Sequence, residues 1–376
     1  MCKSSSDALA PTASRRRSRS SSSAATAAAS FSAAAPSTSS GPDRHTTNTN
    51  TSNTTTSSTS SRSSRSSLAA ARASLPPPPL LYPFHELTAA TNGFLAKRDA
   101  SSTYWRCSLR GRDAALFQLR ALPGLTRADA SAALARTARY HHASLAPLLG
   151  ACLAGPHVYL AYSHPPAAAS LAACLLRAGP ASSILGTWLS RVQVAADVAQ
   201  GLDYVHTHAD AVHGRVSPST VLLVPDPDGL RASLTHFGAD QFAQPDAAAA
   251  QSDSDVHAFG LLLLQLLSGE AEASRFRFDR ATKEFATVSV LDTAAEALAT
   301  GRVRTWVDRR LGDSFPVAAA EKLLEVGLRC ASPEDRPPPE MPWVAGKVSK
   351  AYVESRAWAR QLQHSDGLSS VSVAPR

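Results

Sequence analysis

The chain has 376 residues, 44% of them hydrophobic, and a formal net charge of +8. That charge is unevenly placed: residues 1–75 hold nine Lys/Arg against two Asp/Glu, while the remainder holds 29 against 28. A nearly neutral body argues against a nucleic-acid binder, which shows a basic face within its folded domain. No apolar run approaches the roughly 18 residues that would span a bilayer.

Five cysteines (Cys2, Cys107, Cys152, Cys174, Cys330) are scattered without CxxC spacing. An odd, unspaced set suits buried free thiols in a reducing compartment.

Residues 1–79 are rich in Ser, Thr, Ala and Arg and end in a proline run. Such a composition buries too little apolar surface to offset its ordering entropy, so the reading is a disordered tail and a stiff linker. Three roles stay open for it: a solvated tail, a membrane-surface tail acylated at Cys2 beside Lys3, or an organelle transit peptide.

Beyond residue 80 the pattern changes. Asn92-Gly93 stops a short helix. Residues 101–119 read as strands of a small sheet, with Gly111-Arg112-Asp113 as a hairpin turn. A helix follows from Ala128 to Arg139, then a strand from Val158 to Tyr162. Val194, Val198, Leu202 and Val205 recur at helical spacing within a helix from Trp188 to His208. Ser217-Pro218-Ser219 is a turn entering the buried strand of Leu222 and Leu223. Ser254 is placed as the N-cap of a Leu-rich helix, and Ala318–Cys330 is a further amphipathic helix.

Several phrases occur in order. They are Glu86-Leu87 with Ala90-Thr91-Asn92-Gly93-Phe94, Leu148-Leu149-Gly150-Ala151-Cys152, His213 to Thr220, His236-Phe237-Gly238 and Ser254-Asp255-Val256-His257-Ala258-Phe259-Gly260. Trp306 to Leu311 and Ser332 to Pro337 complete the set. This series resembles plant receptor-like protein kinases, of the LysM-receptor type, over about residues 82–352. The resemblance implies an α+β, bilobal protein-kinase-like fold, with a β-rich N-lobe over about 80–162, a mainly helical C-lobe over about 163–355, and a tail from 356 to 376. It covers neither an ectodomain nor a membrane span.

Phosphoryl transfer needs a cover over the phosphates, a cation on them, metal ligands and an acceptor for the substrate proton. No glycine lies between Gly93 and Gly111, so Lys97–Tyr104 puts side chains where a glycine-rich loop would stand. The lysine of the family aligns with Phe117, and its glutamate partner with Ala133. In the loop, Arg215 stands at the catalytic aspartate and stays protonated, so it cannot act as a base. Ser217 replaces a lysine, and Thr220 replaces a metal-binding asparagine. His236 replaces the metal-binding aspartate, and an imidazole is a poor ligand for magnesium. A zinc site pairing His236 with His213 has no supporting spacing. Only 15 residues separate Gly238 from Ser254, and no Ala-Pro-Glu occurs to partner Arg336. By contrast, His213, Phe237 and Asp255 stand at positions of the structural spine.

The reading is therefore a pseudokinase without intact catalytic, cofactor or metal residues. It is expected to be a cytoplasmic scaffold or allosteric partner of an active receptor-like kinase, at the inner face of the plasma membrane if Cys2 and the basic tail anchor it. No cofactor is expected. The alternative is a divergent Ser/Thr kinase that retains ATP binding or weak phosphotransfer, with Arg215 and His236 facing the phosphates and replacing magnesium's charge; ATP and magnesium enter only under it. A helical protein that matches these phrases by chance would lack a small sheet lobe at residues 100–165.

Overall fold

The computed structural model describes residues 77–95, 104–176, 180–226, 229–244, 252–278, 283–312, 314–331 and 337–368, all within one unit, Arg65–Arg376. The readings of the tail, of Lys97–Thr103 and of Ser332–Arg336 fall outside these residues.

Alternating apolar residues build the first lobe. β1 (Leu80–Leu81) leads into α1 (Phe84–Ala90), then β2 (Trp105–Leu109) and β3 (Arg112–Arg120) form a hairpin. Its turn is Arg110-Gly111, one residue earlier than the sequence places it. Both residues take positive φ, 52° and 76°, as a two-residue connection matched to strand twist requires, which leaves Arg112 paired with Leu109 in the ladder. α2 (Arg127–Thr137) is started by a capping box, in which the Thr126 hydroxyl accepts the Asp129 N–H and Asp129 accepts the Thr126 N–H. β4 (Leu148–Ala154) and β5 (His157–Ser163) complete a five-stranded sheet of order β1-β4-β5-β3-β2, antiparallel except for the β1–β4 pair. One face packs on α1 through Leu87 and Trp105. The other packs on α2 and on residues of the second lobe.

β6 (Ala169–Ser170) and α3 (Leu171–Leu175) open the second lobe. α4 (Trp188–His208) has the limits its apolar spacing predicts, with Thr187 capping Ser190 N–H. β7 (Val221–Asp226) and β8 (Gly229–Leu234) join β6 in a three-stranded sheet, and Leu222 and Leu223 are buried there as expected. α5 (Ser252–Ser268) begins one turn earlier than the sequence places it, so Ser254 lies inside the helix. Asp253 and Asp255 in the first turn complement the positive end of the helix dipole. A hairpin of β9 (Ser274–Phe278) and β10 (Phe285–Ser289) precedes α6 (Val290–Ala299), α7 (Val303–Trp306), α8 (Val317–Ala331) and α9 (Met341–Leu368), the last running beyond residue 355. The core of this lobe is one cluster around α4, α5, α8 and α9. Four described cysteines are free and buried. Burial pushes the thiols of Cys107 and Cys152 up to about 11, and those of Cys174 and Cys330 up to about 12.

Candidate functional site

Buried polar groups must find partners, and the loop before β7 shows where its groups find them. Asp255, on the first turn of α5 and 1% exposed, accepts three hydrogen bonds. They come from His213 N at 2.7 Å, Gly214 N at 2.8 Å and His206 Nε2 at 2.9 Å. His213 Nε2 lies 2.8 Å from the Thr235 carbonyl, which can only accept, so that nitrogen carries the proton. Its Nδ1 accepts Arg215 N–H at 3.3 Å. Phe237 is buried and meets Tyr140 edge-on. His213, Phe237 and Asp255 thus lie within one packed region that ties the loop, the His-Phe-Gly turn and α5 together.

The hydroxyl-bearing residues are consumed within the loop. Thr220 Oγ1 accepts Ser217 N–H at 3.0 Å and lies 2.8 and 2.9 Å from the carbonyls of Arg215 and Ser217. Ser217 Oγ is 2.8 Å from Ser219 Oγ. The Arg215 guanidinium donates to the Gln244 carbonyl.

Opposite the loop, β3 carries Phe117, 3% exposed. Its ring meets the His236 imidazole edge-on with centroids 4.4 Å apart. His236 stacks on Tyr162 at 5.7 Å, and Tyr104 leans on Phe117 at 5.2 Å. Phe117 and Ala133 share one buried cluster with Leu222 and Phe242. Burial first, then the charges of His213 and Arg215, push the His236 pKa down to about 3, so the ring is neutral near pH 7. Tyr104 also reaches His164, just beyond β5, with its hydroxyl 3.1 Å from Nε2.

The stretch after Gly238 crosses between the lobes. Leu122 N–H donates to the Phe242 carbonyl at 2.9 Å, and Gln244 N–H to the Arg120 carbonyl at 2.9 Å, which extends the β3 end by one bridge. Arg136 of α2 binds Gln241 Oε1 at 2.8 Å. A cavity of about 630 Å³ remains between β3, the loop and α5, walled by Phe117, Arg215, Thr220 and His236 among others. Among the described residues that line it, the one carboxylate is the Asp255 already described. Among the described residues no cluster of His, Cys, Asp or Glu could hold a metal ion.

Sequence reasoning brought Phe117, Ala133 and His236 together, but not the aromatic partners Tyr104, Tyr162 and Phe242. It also passed over Arg191, 1% exposed, which donates to Asp308 at 2.5 Å and to the Leu185 and Leu266 carbonyls. A lone arginine inside an otherwise apolar helix pattern was the available signal for it.

No protein-family model matches the chain. A putative leucine-rich repeat receptor-like serine/threonine-protein kinase of Arabidopsis thaliana is 28% identical over 302 residues, 73% of this chain and 33% of that protein. LysM domain receptor-like kinase 3 of Arabidopsis thaliana is 22% identical over 330 residues, 76% of this chain and 48% of that protein. The chain is similar to plant receptor-like kinases. The similarity takes in leucine-rich-repeat and LysM kinases alike, and the chain spans between a third and a half of these relatives' length. The solved pseudokinase domain of BIR2, described as an immune regulator of the RLK/Pelle family, superimposes with a TM-score of 0.57 at 21% identity, covering 75% of this chain and 89% of that one. The fold is protein-kinase-like, with a sheet-built N-lobe and a helical C-lobe. Among the described residues no helix is long and apolar enough to cross a membrane.

Proposed function

We propose that this kinase-like chain is a pseudokinase: a domain that keeps the kinase scaffold without phosphoryl transfer and acts through protein contacts, as scaffold or allosteric partner of an active plant receptor-like kinase. One observation carries the reading. Where a kinase needs a cation for the phosphates and a carboxylate for magnesium, β3 and the His-Phe-Gly turn supply Phe117 and a neutral His236, packed on each other at 4.4 Å. An apolar contact of that kind offers neither a positive charge nor a hard oxygen ligand. Two further groups of the described site are already engaged. Asp255 spends its carboxylate on three N–H donors, and Thr220 is held by its own loop. These residues do not fit a magnesium nucleotide, so no catalytic step is derived through one.

Cytoplasmic placement and peripheral membrane attachment through Cys2 and the basic tail belong to this proposal and rest on the sequence alone. The divergent-kinase alternative has less support, because it asks His236 for a positive charge that its burial opposes. Thermal-shift titration with millimolar ATP, with and without magnesium, is the direct test. The expected result is no displacement of the unfolding midpoint, and phosphate transfer no faster than that of a receptor-like kinase lacking its ATP-binding lysine. A magnesium-dependent shift, or transfer above that control, would overturn the proposal.

A further inference from the structure

Away from the cleft, two helix faces meet around one indole. α8 presents Lys322, Val326 and Arg329 at helical spacing, and α9 presents Trp343, Lys347, Lys350 and Glu354. Between them lies a groove of about 310 Å³. Its floor is apolar, with Leu323, Val326 and Ala351 buried. Trp343 is half-buried in the wall. The Arg329 guanidinium stands 4.3 Å from its ring centroid and the Lys347 ammonium 5.4 Å away. Such cation–aromatic contacts hold long basic side chains in place while their charged ends stay in water.

The rim is not electrically balanced. Lys322 is paired with Glu354 at 2.9 Å. Arg329, Lys347 and Lys350 are exposed and have no carboxylate partner among the described residues, and only Glu325 on the rim opposes them. Like charges gathered at one place in a nearly neutral body repel one another, and packing of the fold does not require the gathering. An apolar floor, a positioned aromatic wall and a rim with four cations against two carboxylates together are complementary to an anionic amphipathic segment.

We propose that the α8–α9 groove is a docking site for an acidic peptide segment of a partner protein. An aliphatic or aromatic anchor of that segment sits over Leu323, Val326 and Trp343, and its carboxylates meet Arg329, Lys347 and Lys350. The site is independent of the nucleotide cleft, so it stands whether or not the chain transfers phosphate.

The test uses the full chain and three probes: a fluorescein-labelled peptide of two Glu-Glu-Leu-Leu-Glu-Asp-Phe repeats, its copy with every Glu and Asp changed to Lys, and phosphatidylserine vesicles. Saturable binding of the acidic peptide is expected, at least about tenfold tighter than that of the lysine copy and weakened by salt. The double variant Lys347→Glu with Lys350→Glu changes only exposed side chains and should keep the wild-type unfolding midpoint. It should lose about tenfold in affinity for the acidic peptide and gain affinity for the lysine copy. Trp343→Ala should weaken binding of the acidic peptide as well. Absence of saturable binding, equal binding by the double variant, or capture of the vesicles in place of the peptide would each overturn the proposal.

Discussion

Arg215 shows how a charged loop residue can serve the fold. Its guanidinium holds the Gln244 carbonyl and so fastens the stretch after the His-Phe-Gly turn to the loop. Changing Arg215→Asp would restore the letter of a general base while Phe117, Thr220 and His236 remain. No phosphotransfer to a peptide acceptor is expected from that variant in a radiolabelled ATP assay. His236 makes a second prediction. Its pKa moves from 6.5 in the unfolded chain to about 3 in the folded one. Between those values the unfolded chain binds a proton and the folded chain does not. Stability from this group is therefore complete above pH 6.5 and is lost as the pH falls toward 3, by up to about 1.4 kcal/mol per pH unit. Replacing His236→Leu should make unfolding free energy depend less steeply on pH in that window, as read by urea denaturation at several pH values. An unchanged slope would mean that the linked proton binds elsewhere.

Among the elements, the crossing of α5 and α8 decides how closely the second lobe packs. A Cβ at Gly260 would lie 2.7 Å from Cys330 Cβ and 2.8 Å from the Gly327 carbonyl. Those are backbone and stem atoms that cannot swing aside. Gly260→Ala should therefore destabilise the chain by about 1–3 kcal/mol despite the better helix propensity of alanine. Gly346 in α9 is the control, since a Cβ there meets nothing within 4 Å. Gly346→Ala should be neutral or stabilising by about 0.5–1 kcal/mol. Denaturant midpoints of the two variants, measured side by side, check the pair. The bridge between the β3 end and Ala243 is the other decisive element contact, because it carries Phe242 into the N-lobe core.

For the whole molecule, the segment ahead of β2 acts as a strap on the sheet. β1 lies parallel to β4, Tyr82 N–H donates to the Ala151 carbonyl at 2.8 Å, and Tyr82 and Leu87 are 2% and 0% exposed. Each such apolar side chain is worth about 1.5–3 kcal/mol when buried. A chain beginning at Pro77 should keep both contributions. One beginning at residue 96 should lose several kcal/mol and expose the β4 edge, seen as a lower unfolding midpoint and a stronger tendency to aggregate. If the two truncations melt together, the strap is not part of the cooperative unit. The second lobe rests on one continuous core of α4, α5, α8 and α9.

The sequence by itself determined the charge chemistry and the main periodicities. Arg215 cannot become a base in any fold, and the limits of α4 follow from apolar spacing because a helix repeats every 3.6 residues whatever it packs against. Local patterns placed two boundaries badly. The hairpin turn slid by one residue to Arg110-Gly111, and α5 took Ser254 into its first turn. In both places several neighbouring residues are acceptable locally, and strand pairing or the helix dipole makes the choice. Only the tertiary structure decided which side chains surround Phe117 and His236. Tyr104, Phe117, Tyr162, His236 and Phe242 come from four separate stretches of chain, and no periodicity links them. Their contact follows from folding the sheet lobe onto the loop, which buries the Phe117 and His236 rings against each other and away from water. Exclusion of water is also what keeps the His236 imidazole neutral, an electrostatic fact that no reading of the letters alone contains.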